Sequence, residues 1–376
     1  VSFLTELSFR LCDLTGSVTM KPIVAVRLAA LLGVLHWVTG PALERTVLGA
    51  ETIVRRGGKN VSGDVSEISK TEVVVKSKGA KEETVTIPAN EVVSIAWTGE
   101  APEAGLARSD DNAGRYAKAI EGYQKSISGS KSTNPAAKSD LEFGIARATA
   151  RLALGDPEQI PAAVKLLEDF KGRDHYRHFE AVDLLGELYL AQKDLAKATS
   201  AFESYGRAPW KDCKLKSKVQ LARLKLVDGK LDDALQLYES VAGETVEGAA
   251  EVAQKQEGQL GKARVLLARQ KPAEALALLN EVIAAADPDE VALHAEAFLR
   301  QGDCLRELGK DKDAVLAYLR VDTLFASAKP QHAEALYQLA KLWGKVGRPE
   351  RGDETRDRLS DTYPNSEWTA KLKAAG

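Results

Sequence analysis

The sequence predicts a mainly α protein: an α-solenoid of about seven helical hairpins, preceded by a small five-stranded β-barrel and an N-terminal signal or anchor helix. Three observations carry this expectation. From about residue 100 onward, apolar residues recur every three to four positions, the period of amphipathic helices. Between residues 44 and 99, Val, Ile and Thr dominate and turn residues fall every 8–12 positions, as in a run of short strands. One phrase is also written three times: "HFEAVDLLG" from His178, "HAEAFLRQG" from His294 and "HAEALYQLA" from His332. The expected domains are 1–42 (an upstream segment plus signal peptide), 43–99 (the barrel) and 100–376 (the helical array).

The front end is read first. The only methionine, Met20, opens "MKPIVAVRLAALLGVLHWVTGPALE": a positive start at Lys21, an apolar run, then small residues. That is the layout of a secretory signal peptide, with Gly40-Pro41-Ala42 as the cleavage site and Leu43 as the mature start. The apolar stretch from Ile23 to Val38 carries Arg27 and His36. It is shorter than the ~20 residues a membrane span needs, which leaves an uncleaved anchor over residues 20–40 as the alternative. Residues 1–19 contain Glu6, Arg10 and Asp13 and fit no signal pattern, so Met20 is the expected initiator. The expected location is periplasmic or cell envelope.

The β segment reads as five strands: "ETIVRR", "NVSGDVSEI", "TEVVVKSK", "ETVTIP" and "EVVSIAW", the last entered through the tight turn "PANE". In the last strand Val93, Ile95 and Trp97 share one face and are expected to point inward. The strand spacing and the short final turn resemble SH3-like or Sm-like small barrels, some of which bind RNA or peptides. Here Arg55, Arg56 and Lys59 are offset by Glu51, Asp64, Glu67 and Glu72, and the whole chain has a net charge of -2. Neither balance suits a nucleic-acid binder, so no nucleic-acid partner is expected.

In the helical region the repeated phrases extend into a pattern. Gly186 is followed by Ala198 and Phe202, Gly302 by Ala314 and Tyr318, Ala222 by Ala234 and Tyr238, and Ala263 by Ala275 and Leu279. Ala340 leads to Gly352, after which Arg356 departs from the large apolar residue. Ala107, Ala119 and Tyr123 form an earlier unit, and Ala148, Ala163 and Leu167 another. This resembles the tetratricopeptide repeat, with small residues at positions 8 and 20 and a large apolar residue at 24. Two antiparallel helices that cross closely at positions 8 and 20 leave room only for Gly or Ala. Position 15, in the turn between them, holds Gly229, Gly309 and Gly347, whereas Lys193 and Gln270 break the rule. Successive position-20 residues stand 35–44 apart, beyond the family's 34, so a longer second helix or inter-repeat loop is expected. The ending "YPNS" looks like envelope members of the family.

The resemblance implies a groove lined by positions 2, 5, 9, 12 and 13 of each first helix. Its residues are then Glu180, Asp183 and Glu187; Lys216 and Arg223; Leu260 and Arg264; Glu296, Leu299, Asp303 and Arg306; and Glu334, Tyr337, Lys341 and Lys345. Along the array the groove is expected to run acidic, basic, mixed and basic, which would orient a bound peptide or helix. Position 9 (Glu187, Arg223, Arg264, Asp303, Lys341) lacks the residues of the chaperone-binding carboxylate clamp. His178, His294 and His332 are expected just before their first helices, meeting free helix N–H groups.

His175 and His178, with Asp174 and Glu180, are a thin metal candidate, because zinc needs three or four converging ligands. Cys12, Cys213 and Cys304 have no CxxC spacing, and no P-loop, GxSxG or HExxH is present. No enzyme, cofactor or metal is expected. The function implied is a non-catalytic scaffold that binds protein partners of the envelope in its concave groove. Membrane contact would come only through an uncleaved N-terminal segment. The alternative is a ligand-binding module in which the barrel recognises a peptide, glycan or nucleic acid and the repeats act as a spacer.

Overall fold

The computed structural model describes residues 50–78 and 82–375; the segment 1–42 with its signal-like stretch lies outside them. Five strands come first: β1 (Glu51–Arg55), β2 (Val61–Ile68), β3 (Glu72–Lys78), β4 (Glu82–Pro88) and β5 (Val92–Ala96). They form one antiparallel sheet in the order β4-β3-β2-β1-β5, with a 3-10 turn at Ala89–Glu91 leading into β5. Among the described residues β1 to β4 run as a meander, β5 returns beside β1, and no hydrogen-bonded ladder joins the edge strands β4 and β5. Period-two burial puts Ile53, Val73, Val75, Ile87 and Ile95 on one face, all fully buried.

That face is completed by the helices. Ala137, Tyr176 and Trp210 join the sheet's apolar cluster, and the described residues form one compact unit. The inward face of β5 differs from expectation. A bulge slips the register between Val54 and Arg55, which pair with Ser94 and Val92. Val92 is therefore buried at 5% and Val93 turned out to 44%, while Ile95 and Trp97 do face the core.

The helices follow as seven hairpins. They are α1 (Glu103–Asn112) with α2 (Tyr116–Gly129), α3 (Pro135–Ala153) with α4 (Ile160–Lys171), and α5 (His178–Ala191) with α6 (Leu195–Tyr205). Then come α7 (Lys211–Val227) with α8 (Leu231–Ala242), α9 (Ala249–Ala268) with α10 (Pro272–Ala285), and α11 (Val291–Glu307) with α12 (Asp311–Leu324). The last pair is α13 (Lys329–Leu342) with α14 (Pro349–Thr362), closed by α15 (Glu367–Ala375).

Small residues sit where helices touch. Ala119, Ala163, Ala198, Ala234, Ala275 and Ala314 are wholly buried. A Cβ on Gly186 would overlap the Phe202 ring, and one on Gly302 the Tyr318 ring, so the bulky residue fills the place that the missing side chain leaves. Tyr123 reaches the next unit in the same way, its ring only 2.8 Å from where a Cβ on Gly144 would lie. In the last hairpin Arg356 is exposed, and Leu359 and Thr355 take over the burial.

In four of the units the extra residues lengthen the first helix, not the second. α3, α7, α9 and α11 run 19, 17, 20 and 17 residues, against 12, 12, 14 and 14 for their partners. Loops such as Gly243–Gly248 take up the rest. Every first helix but α3 ends on a left-handed residue, a conformation that lets the backbone reverse at once. Gly114, Gly229, Gly309 and Gly347 adopt it, and so do the two exceptions to the glycine rule, Lys193 (φ 62) and Gln270 (φ 59).

The histidines do not cap helix N–H groups. His294 and His332 lie one turn inside α11 and α13, and all three rings reach back to the preceding hairpin. His178 Nδ1 meets the Lys171 carbonyl at 2.9 Å, and His294 Nε2 the Asp287 carbonyl at 3.0 Å. His332 bridges Asp322 Oδ1 at 2.9 Å and the Tyr363 hydroxyl at 2.7 Å. They tie each unit to its predecessor. The array also meets itself: Lys329 Nζ, at the start of α13, donates to the Gly114 carbonyl at 2.9 Å and lies 5.8 Å from the Tyr116 ring centroid.

Candidate functional site

Two parts of the fold face each other across a cleft of about 870 Å³. One wall is the inner side of α3, α5 and α7. The other is the 3-10 turn and β5, with the start of α9 at the margin. Sequence places the walls through a few polar bonds. Asn134 caps α3, its Oδ1 accepting from Ala136 N at 3.0 Å. Arg177, just before α5, donates to the Val93 carbonyl at 2.6 Å. Asn90 Nδ2 donates to Asp212 Oδ1 at 3.2 Å, and Trp97 Nε1 to Asp140 Oδ2 at 3.2 Å. Tyr176 donates to the other oxygen of Asp140. Burial opposes the charge of Asp140, but the nearby Arg177 guanidinium holds its carboxyl below the usual range.

Deeper on the helical wall the charges are paired. Asp111, 1% exposed, accepts from Arg147 at 2.7 Å and Arg151 at 2.9 Å. Glu180 accepts from Arg177 at 2.8 Å and faces Arg147 at 3.5 Å. Burial would raise the Glu180 carboxyl, but Arg177 and Arg147 bring it down to about 2. Farther along α5, Asp183 binds Lys216 of α7 at 2.6 Å, and Glu187 accepts from Gln220 at 3.3 Å.

A second cavity of about 560 Å³ lies farther along, lined by Arg300, Asp303, Arg306 and Glu334 among others. Arg300 is held at 2.9 Å by Glu296, 2.5 Å by Asp303 and 2.7 Å by Glu334. Tyr318 donates to Asp303 at 2.8 Å. Nearby on α9, Glu257 has its carboxyl pushed up to about 7, first by burial and then by Glu296.

Of the expected groove residues, Glu180, Asp183, Glu187 and Lys216 line the first cavity, and Asp303, Arg306 and Glu334 the second. Glu296 binds Arg300 beside the second, and Arg264 lies 3.8 Å from Glu296. Leu260 and Leu299 are corrections: at 2% and 0% exposure they belong to the core. Leu260 packs with Ala263 and Leu279, and Leu299 with Tyr318 and Leu339. Tyr337 is half-buried against Trp368 of α15, with ring centroids 5.2 Å apart. Arg223, Lys341 and Lys345 are exposed and line neither cavity.

The expected charge zones are corrected as well. First helices of adjacent units lie side by side, so acidic and basic zones neutralise each other through Arg147–Glu180, Lys216–Asp183 and Arg300–Glu334. The sequence reading missed Asp111, Asp140, Arg147, Arg177 and Glu257. For Arg147 and Arg151 the signal was there: they stand four apart on one helical face of the second unit.

His175 stacks on Tyr176, 4.6 Å between centroids, and burial lowers its pKa to about 4, so it is neutral. His178 points to a backbone carbonyl, and among the described residues no three metal-ligating side chains converge. Cys213 and Cys304 are buried and free, their thiols pushed up to about 11 and about 12 by burial, which leaves no ready nucleophile in either.

The tetratricopeptide repeat family model matches residues 219–290 and 260–329, which take in most of α7 through α12. No curated protein matches the chain. Among solved structures, a Rap protein complexed with competence and sporulation factor aligns at 13% identity and TM-score 0.47, over 72% of this chain and 77% of its own. NprR in complex with its cognate peptide NprX aligns at 16% and 0.47, over 69% and 75%. A tetratricopeptide repeat protein from Parabacteroides merdae aligns at 14% and 0.44, over 69% and 91%. Residues 219–329 thus match tetratricopeptide repeats, and a five-stranded antiparallel sheet precedes the helical array that contains them.

Proposed function

We propose that the protein is a non-catalytic interaction scaffold that holds an extended segment of a partner protein in the cleft between the sheet and the first helices. The observation that carries this reading is the cleft itself. It has room for several side chains, and its walls mix aromatic rings (Phe179, Trp210, Tyr205) with fixed charges. Deleting the sheet would uncover Tyr176 and Trp210, so the test fills the cleft instead. Ala253→Trp, at the margin, should abolish capture of partner peptides while the helical circular dichroism stays unchanged. Undiminished capture would refute the reading.

The partners we propose are envelope proteins, and the location is the periplasm or cell envelope. The support is the signal-like stretch that begins at Met20. Fractionation of the native host with N-terminal sequencing tests this; a cytoplasmic protein that keeps residues 20–42 would overturn it.

A further inference from the structure

We infer that the cleft accepts a basic side chain of the bound segment, arginine or lysine, at Asp183, Glu187 and Asn90; this rests on the peptide-binding reading above. Asp183 is 6% exposed. One of its carboxylate oxygens is bound to Lys216 at 2.6 Å, and the other is buried with no donor. Asn90, on the sheet's side of the same cavity, is in a similar state: its amide nitrogen is bound to Asp212, and its oxygen is buried with no donor. One helical turn on from Asp183, Glu187 accepts only the neutral amide of Gln220.

An acceptor left buried without a donor costs about 1–3 kcal/mol, so native proteins rarely keep two in one cavity without a use for them. Both acceptors here line a space large enough to admit a side chain.

Charge points the same way. Asp183, Glu187 and Asp212 are three carboxylates, and Lys216 is bound to the first of them. Most of the cleft's other guanidinium groups are engaged elsewhere: Arg147 and Arg151 by Asp111, Arg177 by Glu180 and the Val93 carbonyl, Arg108 by Glu100; Arg56, on the sheet side, is exposed to solvent. Arg223, beyond Gln220, is exposed to solvent. Burial and then Asp183 push the Glu187 carboxyl up, against the opposing pull of Lys216, Arg223 and Arg151. A guanidinium brings five donors in a plane and an ammonium three, with a positive charge and no acceptor, which is what this corner lacks. An anionic or purely apolar side chain would leave both acceptors unmet.

The probe is a display library of random linear peptides with blocked amino ends, so that only a side chain can supply the cation. It is panned against the full chain. We expect the peptides selected on the wild type to share arginine or lysine at one fixed place. Exchanging that arginine for citrulline should weaken binding about tenfold, a loss of about 1.4 kcal/mol. In Asp183→Asn the same exchange should cost nothing, and Glu187→Gln should shrink its cost. Both variants should keep the wild-type circular dichroism; if Asp183→Asn misfolds, Glu187→Gln decides alone. If selected peptides compete for the cleft but share no basic position, or if citrulline binds as well as arginine, this inference falls and the cleft reading stands. If no peptide is selected, or those selected bind Ala253→Trp unchanged, both fall.

Discussion

Lys193 and Gln270 hold φ of 62 and 59, where side chains other than glycine's are strained. The left-handed conformation costs an ordinary residue about 1–2 kcal/mol. Replacing it by Gly removes that cost but makes the unfolded chain more flexible, at about 0.4–1 kcal/mol. Lys193→Gly and Gln270→Gly should therefore each stabilise by about 0.5–1 kcal/mol. They lie in different hairpins with no shared partner, so together they should give about 1–2 kcal/mol.

Gly229 and Gly309 are internal controls. A Cβ at either would meet nothing within 4 Å, so Gly→Ala there changes only the backbone and should destabilise by about the same amount. The assay is urea unfolding at constant slope. Hydrogen exchange at the end of α5 and of α9 supplements it, because repeat arrays can open locally. A neutral or destabilising Lys193→Gly, with the slope unchanged, would refute the reasoning.

Three further outcomes follow from the same structure. Gly186→Ala should cost about 1–3 kcal/mol by forcing Phe202 out of place, and Phe202→Leu in the same chain should recover part of it; a double-mutant cycle in urea reads the coupling. Glu257 titrates near pH 7 when folded and near 4.5 otherwise, so it contributes stability that is full below about pH 4.5 and lost as the pH rises through about 7. Glu257→Gln should remove about 1–2 kcal/mol of that dependence, measured as the difference between the two proteins' stability profiles from about pH 5 to 8. His332→Ala breaks the bonds to Asp322 and Tyr363 and leaves both partners half-buried; it should cost about 2–3 kcal/mol and speed hydrogen exchange in α14 before α7.

The repeats were legible because close approach is a steric demand that few residues meet. Where α5 lies against Phe202 only glycine fits, and that demand survives into the sequence at Gly186. The strands were legible from alternation, except where a bulge changed the count: nothing local to "EVVSIAW" says that Val92, not Val93, will face the core. The left-handed turns were legible only through glycine, so Lys193 and Gln270 looked like failures of the pattern although their backbones follow it.

The candidate site was much less legible. Its residues come from segments 36 to 122 positions apart, such as Tyr176 with Asp140 and Asn90 with Asp212. A charge on a helix face declares its position but not its partner. The expected zones therefore dissolved into cross-unit pairs, and Leu260 and Leu299, apolar at a groove position, turned toward their neighbours instead.

The clasp of Lys329 on Gly114 changes how such a chain should come apart. A string of repeats normally frays from whichever tip is weaker. Here each tip is the other's neighbour, so trimming the final hairpin should loosen the opening one, 215 residues away along the chain. A bond of this kind is worth only about 0.5–1.5 kcal/mol, so the loosening should be of that size.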